Sequence, residues 1–595
     1  MTAQPMAFTL AKGDEGSPLL AHIDFKAATR SHQEVGRSAD NPKLQQKIAR
    51  LLRQGNKLSS NGQYHEALKL HFAAWQLDYE NLDSIKCLAH SLGQTGARGK
   101  ALELFEIVLQ RRPDDPDLTG LLGQIAIDLE MWEEALKLNR IYIAARPDNE
   151  LGYNNLATAL RHLERLDETV AFLKDVIPMF PESAPLWNVL ATAVTFRDGF
   201  ETALPFYEEA LRLDPRLWQT LNNLGRAYND RGEFEKVVEY CSRANAVRGD
   251  QPQSHIGLAF GLLGLGELEK GWREYEWRQH PLRNTALRWL HGLPRWDGQP
   301  LAGKSILVSS EQGIGDEILF GHMLPDVFRA CDEVYISCEK RLVPLFQRSF
   351  PKALAIGSFD DKTHNGFRYR LLPFVDDLPR KPDYFIEMGS LGKFYRNSIA
   401  DFPAPGGGFL VPDAGRLAHW RARLAGLGDG LKVGVCWRSG LRNIERNIWY
   451  ADLAAWAPIF AQQGCHFINL QYGDCEEELG FIRERFGVTV HDWDDIDLKK
   501  DQDDCAALTK ACDLVISIGA APGMMAYGVG TPVLWMFPFP PWWCFGQSPK
   551  TPLFAHARVI SPATPGDWPA VAEETAHWLA CAIKEPEKIA RLLQG

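Results

Sequence analysis

Small residues recur every 34 positions through the first half of the chain. From Ala67 the register continues with Ala101, Ala135, Thr169, Ala203, Val237 and Gly271. Twelve residues earlier in each period stand Gly55, Ala89, Gly123, Ala157, Ala191, Gly225 and Ala259, and proline closes four periods at positions 113, 147, 181 and 215. Because two helices approach closely only where facing side chains are small, this spacing predicts about seven helical hairpins over roughly residues 45–280.

This pattern resembles the tetratricopeptide repeat (TPR), whose proline ends the second helix of each pair. Such repeats stack into an α-solenoid with a concave groove that commonly holds a partner polypeptide. Asn154, Asn188 and Asn222 occupy the same first-helix position in three successive repeats. A carboxamide both donates and accepts hydrogen bonds, so a column of them suits an extended peptide backbone. The alternative is that asparagine is simply common at this repeat position.

After the repeats, short apolar runs alternate with helical patterns. The predicted strands include SILVSS (305–310), EVYISC (333–338), KVGVCWRSG (432–440), HFINLQYG (466–473), DLVISIG (513–519) and PVLWMF (532–537). Strands separated by helices predict parallel α/β sheets, and the proline- and glycine-rich stretch 401–415 divides them into two lobes around a cleft. The expected division is therefore an N-terminal segment 1–44, repeats 45–280, a connector 281–300, a first lobe 301–415 and a second lobe 416–595.

Composition narrows the class of protein. Lys and Arg number 65 against 76 Asp and Glu, a net charge of −11, which argues against a nucleic-acid partner. The eleven cysteines show no zinc-binding spacing, and the N-terminus lacks the pattern of a signal peptide. The uncharged stretch 514–549 is interrupted by six prolines and five glycines, so it predicts buried strands rather than a membrane span. We expect a cytoplasmic protein with free thiols.

Four sequence stretches carry a more specific resemblance: WDGQPLAGK (296–304), EQGIGDEILF (311–320), WRSG (437–440) and LQYGD (470–474). Behind TPR repeats, they resemble bacterial TPR glycosyltransferases, whose catalytic halves are similar to heptosyltransferases and, more distantly, to O-GlcNAc transferase. The resemblance implies a GT-B fold of two Rossmann-like lobes and inverting, metal-independent transfer from a nucleotide sugar, with no other cofactor. The three asparagines likewise resemble the asparagine ladder of O-GlcNAc transferase.

The candidate catalytic residues lie in the first lobe. The Gly-Asp pair of GIGDEI (313–318) matches the one that supplies the proposed base of heptosyltransferases, so the resemblance implies that Asp316 is the base. His322 and Glu311 are the alternative bases, and Asp316 is also placed where it would merely cap a helix.

The candidate sugar-nucleotide site lies in the second lobe. Arg438, Arg442 and Arg446 recur at four-residue spacing, which suits phosphate contacts, and Ser439 lies among them. Gln471, Tyr472 and Gly473 end a predicted strand and are expected to line the base or ribose. Gly519, Ala520, Ala521 and Gly523 allow a phosphate to approach a helix N-terminus, as the resemblance implies. Gly519 and Met524 stand where heptosyltransferases usually have Asp and His, which indicates a changed donor or lost activity.

The leading hypothesis is a protein O-glycosyltransferase. Flagellin glycosyltransferases of alphaproteobacteria are similar in architecture, which implies a flagellin acceptor and a CMP-linked nonulosonic acid such as pseudaminic acid. The alternatives are an inactive TPR adaptor and a transferase for envelope lipid or polysaccharide. Two further features have open interpretations. Trp542 and Trp543 either bind substrate or cover the core, and the DWDDID stretch (492–497) either binds a metal or is a solvated acidic turn.

Overall fold

The computed structural model describes residues 41–60, 63–95, 97–111, 115–281, 283, 285–364, 367–403, 407–440 and 448–593. The chain divides into two compact units. The first comprises residues 1–221 with the short segments 279–288 and 362–369, and the second comprises 222–278, 289–361 and 370–595. Most of the predicted N-terminal segment 1–44 therefore lies outside the described residues.

Fourteen helices, α1 to α14, follow one another as seven consecutive pairs. Their bounds are Pro42–Ser60, Tyr64–Leu77, Leu82–Gln94, Arg98–Arg111, Pro116–Asp128, Trp132–Ala145, Glu150–His162, Leu166–Val176, Ala184–Asp198, Phe200–Leu213, Trp218–Asn229, Phe234–Val247, Pro252–Gly264 and Leu268–Tyr275. The number of pairs agrees with the 34-residue period. The first unit holds α1–α10 and the start of α11, and the second unit holds the rest.

The recurrent small residues allow the two helices of a pair to touch. A side chain at Gly123 would begin 2.8 Å from Asn139 Nδ2, and one at Gly225 would begin 2.4 Å from Cys241 Sγ. Each glycine faces the residue sixteen positions later on the second helix of the same pair. Contacts this short leave no room for a Cβ atom, so the sequence period reflects helix-to-helix packing.

The described residues of the α/β half form thirteen strands, β1 to β13, and twelve further helices. The strands are Leu287–Trp289, Ser305–Ser309, Glu333–Cys338, Ala355–Ser358, Asp360–His364, Phe367–Leu371, Tyr384–Glu387, Leu431–Cys436, Cys465–Asn469, Val490–His491, Leu514–Ile518, Val533–Met536 and Ala557–Ile560. The helices α15 to α26 are Ile314–Gly321, Leu324–Ala330, Val343–Ser349, Pro373–Asp376, Gly392–Tyr395, Ala414–Ala425, Ala457–Phe460, Glu476–Phe486, Gln502–Ala511, Ala521–Val529, Trp568–Lys584 and Ile589–Leu592.

Two parallel sheets organise this half. The first has the order β4-β3-β2-β7, and the second has the order β10-β9-β8-β11-β12-β13. The central strands β2, β8, β11 and β12 are buried along their whole length, as expected for parallel strands covered on both faces. The strand order reverses between β2 and β7 in the first sheet and between β8 and β11 in the second. Such reversal points open crevices at the carboxyl ends of the strands.

The Trp272 indole joins the last repeat helix to the α/β half, within the second unit. Its Nε1 donates a hydrogen bond to the Arg396 carbonyl over 2.8 Å, and its ring lies against Gly392 so closely that a Cβ there would be 2.7 Å away. Trp542 and Phe320 also pack on the Trp272 ring, each in a T-shaped arrangement. The fourteenth helix thereby becomes part of the main hydrophobic core.

We predict that Trp272→Ala lowers the free energy of unfolding of the α/β half by about 3–5 kcal/mol, because it leaves a large cavity and an unpaired buried carbonyl. Urea unfolding followed by near-UV circular dichroism measures this. Trp578→Ala is the control, since that indole is only half-buried and its loss is expected to cost less. An equal loss in both variants would contradict a special role for Trp272.

Candidate active site

Helices α15 and α24 lie side by side and run in the same direction. Gly315 at the start of α15 is next to Met524, with 3.8 Å from its ideal Cβ position to Met524 Cγ. One turn further along, Ile318 is next to Gly528, with 3.0 Å from the ideal Cβ position of Gly528 to Ile318 Cγ2. Because α15 follows β2 and α24 follows β11, the two helix N-termini meet where the carboxyl ends of both sheets come together. The N-terminal N–H groups of both helices favour negative charge there.

Asp316 lies in the first turn of α15 and its side chain is exposed. The helix N-cap is Gly313, and Asp316 follows it by three residues, with Oδ2 3.7 Å from the ideal Cβ position of Gly313, so a capping role for Asp316 stays open. Its charge also acts on Tyr275: burial raises the pKa of Tyr275, Arg278 opposes this, and the charges of Glu311 and Asp316 add to it. Asp316 is therefore a solvent-accessible carboxylate in the first turn of α15, the turn that lies next to α24.

His322 lies behind Asp316, facing the core. Its Nδ1 is 2.6 Å from the Leu319 carbonyl, and its Nε2 is 3.3 Å from Arg396 Nε. Burial, followed by the positive charge of Arg396, lowers the pKa of His322 to about 3. The neutral ring donates from Nδ1 and accepts at Nε2, so both nitrogens already have partners within the protein.

Glu311 is almost fully buried at the end of β2. Its Oε1 accepts from Arg278 Nη2 over 2.8 Å and from the Gly389 N–H over 2.7 Å. Its backbone carbonyl accepts from Arg370 Nη1, also over 2.8 Å. Glu311, one of the two alternative bases, thus forms an ion pair at the reversal point of the first sheet.

The second lobe presents a cleft of about 480 Å³ at the ends of β8 and β9. Its lining includes Arg438, Tyr472 and Gly473, three of the residues predicted from the sequence. Arg438 forms a double ion pair with Glu478, over 2.5 and 2.6 Å, and this bonding raises the pKa of Arg438. Its charge is therefore compensated before any phosphate binds.

Gln471 and Ser439 are also engaged within the protein. Gln471 Oε1 accepts from the backbone N–H groups of Trp437 and Arg438 over 3.2 and 3.0 Å, which ties the ends of β8 and β9 together. The Ser439 hydroxyl is 2.6 Å from Tyr450 Oη, and Tyr472 Oη accepts from the Gly440 N–H over 3.0 Å. Arg442 and Arg446 lie outside the described residues.

The N-terminus of α24 divides into an accessible and a packed part. Gly519 is exposed and Ala521 is half-buried, while Ala520, the N-cap, is buried and supplies no side-chain cap. Gly523 is buried, and a Cβ there would lie 2.0 Å from Trp535 Nε1. The missing side chain at Gly523 serves helix packing against β12. A Cβ at Gly519 would likewise lie 2.5 Å from Phe537 Cε1, although Gly519 itself is exposed.

The predicted asparagine column falls across both compact units. Asn154 and Asn188 belong to the first unit, and Asn222 belongs to the second. Asn188 is mostly buried, and its Oδ1 accepts from Thr220 Oγ1 over 3.0 Å. Asn154 and Asn222 are half-buried, so peptide binding by the column stays a prediction.

The Trp542–Trp543 pair and the acidic stretch 492–497 both contact other parts of the protein. Trp542 stacks on Phe260 with ring centroids 5.5 Å apart, and Trp543 packs edge-on to Trp535 at 4.9 Å, so both belong to the core. In the acidic turn, Asp492 accepts from Asn469 Nδ2 and Asp495 pairs with Arg423. No three His, Cys, Asp or Glu side chains come together as a metal site within the described ranges.

Sequence reasoning missed Arg278, Arg370 and Arg396. These three buried arginines contact residues just before or just after α15, and each pairs with a carboxylate. The only sequence signal for Arg278 is its position at the end of GWREYEWR (271–278), where the repeat period ends. All eleven cysteines are free, and among the described helices none is both long and apolar enough to cross a membrane.

A family model described as tetratricopeptide repeat matches residues 88–150. A curated protein named Protein FlbA, from Caulobacter vibrioides, is 37% identical over 327 residues, which are 54% of this chain and 54% of that protein. The chain thus spans about half the length of this relative. The present chain combines tetratricopeptide repeats with parallel-sheet α/β domains.

Two solved structures are also similar to parts of the chain. A glycosyl transferase of family 9 from Veillonella parvula has a TM-score of 0.38 and 13% identity, and covers 49% of this chain and 99% of its own. The TPR protein TTC0263 from Thermus thermophilus has a TM-score of 0.26 and 20% identity, and covers 36% of this chain and 99% of its own. Structures this distant do not assign roles to residues.

We predict opposite effects for two helical Gly→Ala changes. Gly523→Ala is expected to lower the free energy of unfolding by about 1–3 kcal/mol, because the new methyl group collides with Trp535. Gly480→Ala, in α22 with open space around its Cβ position, is expected to raise it by about 0.5–1 kcal/mol. Urea unfolding measures both. Unchanged stability with weaker nucleotide binding in Gly523→Ala would instead place Gly523 in the ligand site.

We also predict that His322 makes the fold sensitive to acid. Between its ordinary pKa of 6.5 and about 3, the unfolded chain takes up a proton that the folded chain does not. The stability that the neutral ring contributes is therefore lost as the pH falls through that window. Urea midpoints at pH 7 and pH 5 should differ less in His322→Gln than in the wild type, while the exposed-site control His577→Gln keeps the wild-type difference. An unaltered difference in His322→Gln would contradict this assignment.

Proposed function

We propose that this protein is a glycosyltransferase that transfers a sugar from a nucleotide donor to a hydroxyl of a protein acceptor. The carrying observation is the parallel pairing of α15 and α24. It sets the first turn of α15, which carries the exposed carboxylate of Asp316, beside the first turn of α24, at the carboxyl ends of two parallel sheets. A base and a phosphate-binding helix end within one crevice are what inverting sugar transfer requires.

In this mechanism Asp316 accepts the proton of the acceptor hydroxyl as the oxygen attacks the anomeric carbon. The bond from that carbon to the phosphate oxygen breaks, and the negative charge that develops on the phosphate is stabilised by the Ala521 N–H group and the dipole of α24, since Pro522 has no N–H group. Gly519 and Ala521 keep this approach free of large side chains. The side chains of His322 and Glu311 are bonded within the protein, which favours the exposed Asp316 among the three candidates.

The second lobe supports binding of the nucleotide. The cleft lined by Arg438, Tyr472 and Gly473 is large enough for a base and ribose, and ligand sites of this kind are typically concave and preformed. The charge of Arg438 is compensated by Glu478, so this guanidinium contributes little to binding a second phosphate. This favours a donor with one phosphate, such as a CMP-linked nonulosonic acid.

The repeats support a polypeptide acceptor rather than a lipid. Seven helix pairs of the TPR type provide a long surface, whose common use is to hold another protein. Flagellin is the acceptor we propose, modified at Ser or Thr, with Asn154, Asn188 and Asn222 as candidate contacts. Transfer that needs no metal ion is part of the same proposal.

We predict that flagellin from cells lacking this protein loses regular sugar-sized mass increments, and that the purified protein restores them with CMP-pseudaminic acid. Asp316→Asn should lower kcat by about 10²–10⁴-fold while flagellin binding is retained, because the isosteric amide cannot accept the proton. Asp332→Asn, an exposed carboxylate in the same lobe, is the matched control and should keep its rate. Intact-mass spectrometry of flagellin measures both.

The other outcomes separate the alternatives. Full modification by Asp316→Asn would remove Asp316 as the base. Modification that is lost without the gene but never reproduced with any donor in vitro would favour an inactive TPR adaptor. Unchanged flagellin mass together with an altered envelope glycan would favour transfer to lipid or polysaccharide.

A further inference from the structure

A buried ion-pair network connects the end of the last repeat to the turn that carries the candidate base. Arg278 follows α14 directly, and its guanidinium lies over the Tyr275 ring, 4.4 Å from the centroid. The side chains of Arg278 and Glu311 are 5% and 4% exposed, so their contact is shielded from water. In the mechanism proposed above, neither Arg278 nor Glu311 takes part in sugar transfer.

The network controls the backbone just before Asp316. Glu311 lies in the turn from β2 to α15, and three hydrogen bonds fix it: from Arg278, from the Gly389 N–H and, at its carbonyl, from Arg370. Arg278 Nη2 also donates to Ser390 Oγ over 2.9 Å. The ion pair thereby joins the turn after β2 to the turn after β7, the two strands that flank the reversal point.

The balance of charge depends on Arg278. Around Ser390, the carboxylates Glu276, Glu311 and Glu387 face two guanidiniums, those of Arg278 and Arg295. Arg278 pairs with Glu311, whereas Arg295 pairs only with the other two carboxylates. Without Arg278, a buried carboxylate at the end of β2 would lose its charged partner, and the turn would have to rearrange to solvate it.

A second buried carboxyl makes that rearrangement costly to the site. Glu317, next to Asp316 in sequence, is fully buried and accepts from the Glu339 N–H over 2.8 Å. Burial raises the pKa of Glu317 well above its ordinary value, and the charge of Glu311 adds to this effect. A shift of Glu311 would therefore change the electrostatic surroundings of Glu317, the neighbour of Asp316 in the first turn of α15.

We propose that Arg278 is a positioning residue for sugar transfer: through Glu311, the end of the repeat array fixes the turn that aims Asp316. The inference rests on the proposed function, and it adds that the repeats contribute a residue to the geometry of the active site. Arg278 touches no substrate. It acts by holding Glu311, and through it residues 311–316, in one conformation.

The test compares Arg278→Met with Arg295→Met. Both remove one guanidinium from the same network, but only the first breaks the bond to Glu311. We expect Arg278→Met to lower kcat on the order of 10²-fold with the donor KM within about threefold, because misplacing a base affects the chemical step and not ground-state binding. Arg295→Met should keep kcat within about threefold.

Hydrogen–deuterium exchange provides a readout that does not depend on activity. In Arg278→Met, the backbone amides of residues 311–317 should exchange faster than in the wild type, and in Arg295→Met they should not. If Arg278→Met fails to fold, Arg278→Lys serves instead. Its single ammonium keeps the charge but cannot reproduce both bonds, so a smaller loss of kcat, about tenfold, is expected.

Equal kcat values, or equal exchange of residues 311–317, in Arg278→Met and Arg295→Met would overturn the positioning role. If the wild type transfers no sugar to any acceptor, the proposed function fails. The exchange comparison then still decides whether Arg278 holds the turn.

Discussion

The packing of one indole determines how the second unit is built. Trp272, on the last repeat helix, hydrogen-bonds to the Arg396 carbonyl and lies on Gly392, and Trp542 closes over its other side. Because this contact buries the end of the helix in the α/β core, the residues one to two turns later are placed at the carboxyl end of β2. The repeats are thus joined to the candidate active site by packing as well as by the chain.

The two reversal points of the α/β half are used differently. In the first sheet the crevice is filled by buried charges, with Arg278 and Glu311 closing the space between the ends of β2 and β7. In the second sheet the residues at the start of α24 are small, with Gly519 exposed and Ala521 half-buried. One sheet therefore holds a rigid carboxylate-bearing turn, and the other offers N–H groups to an anion.

Much of the fold was predictable because its causes are local. The helical hairpins follow from small residues that must face each other, as Gly123 faces Asn139, and the parallel sheets follow from apolar runs separated by helical patterns. The site was predictable only in its position. Arg438 and Gln471 carry the chemistry of ligand-binding groups, yet both are engaged by their own chain, since Glu478 and the N–H groups of residues 437 and 438 compete for them.

The sequence by itself determined the repeat period, the alternation of strands and helices, and the turn in which Asp316 lies, because each depends on residues near one another in the chain. Only the tertiary structure decided which of these residues are buried against a partner and which are exposed to solvent. Gly523 is closed by Trp535, Glu311 is closed by Arg278, and Asp316 stays exposed. The partners in these contacts are 12 to 33 residues apart, and such pairings are fixed by packing and by the need to neutralise buried charge.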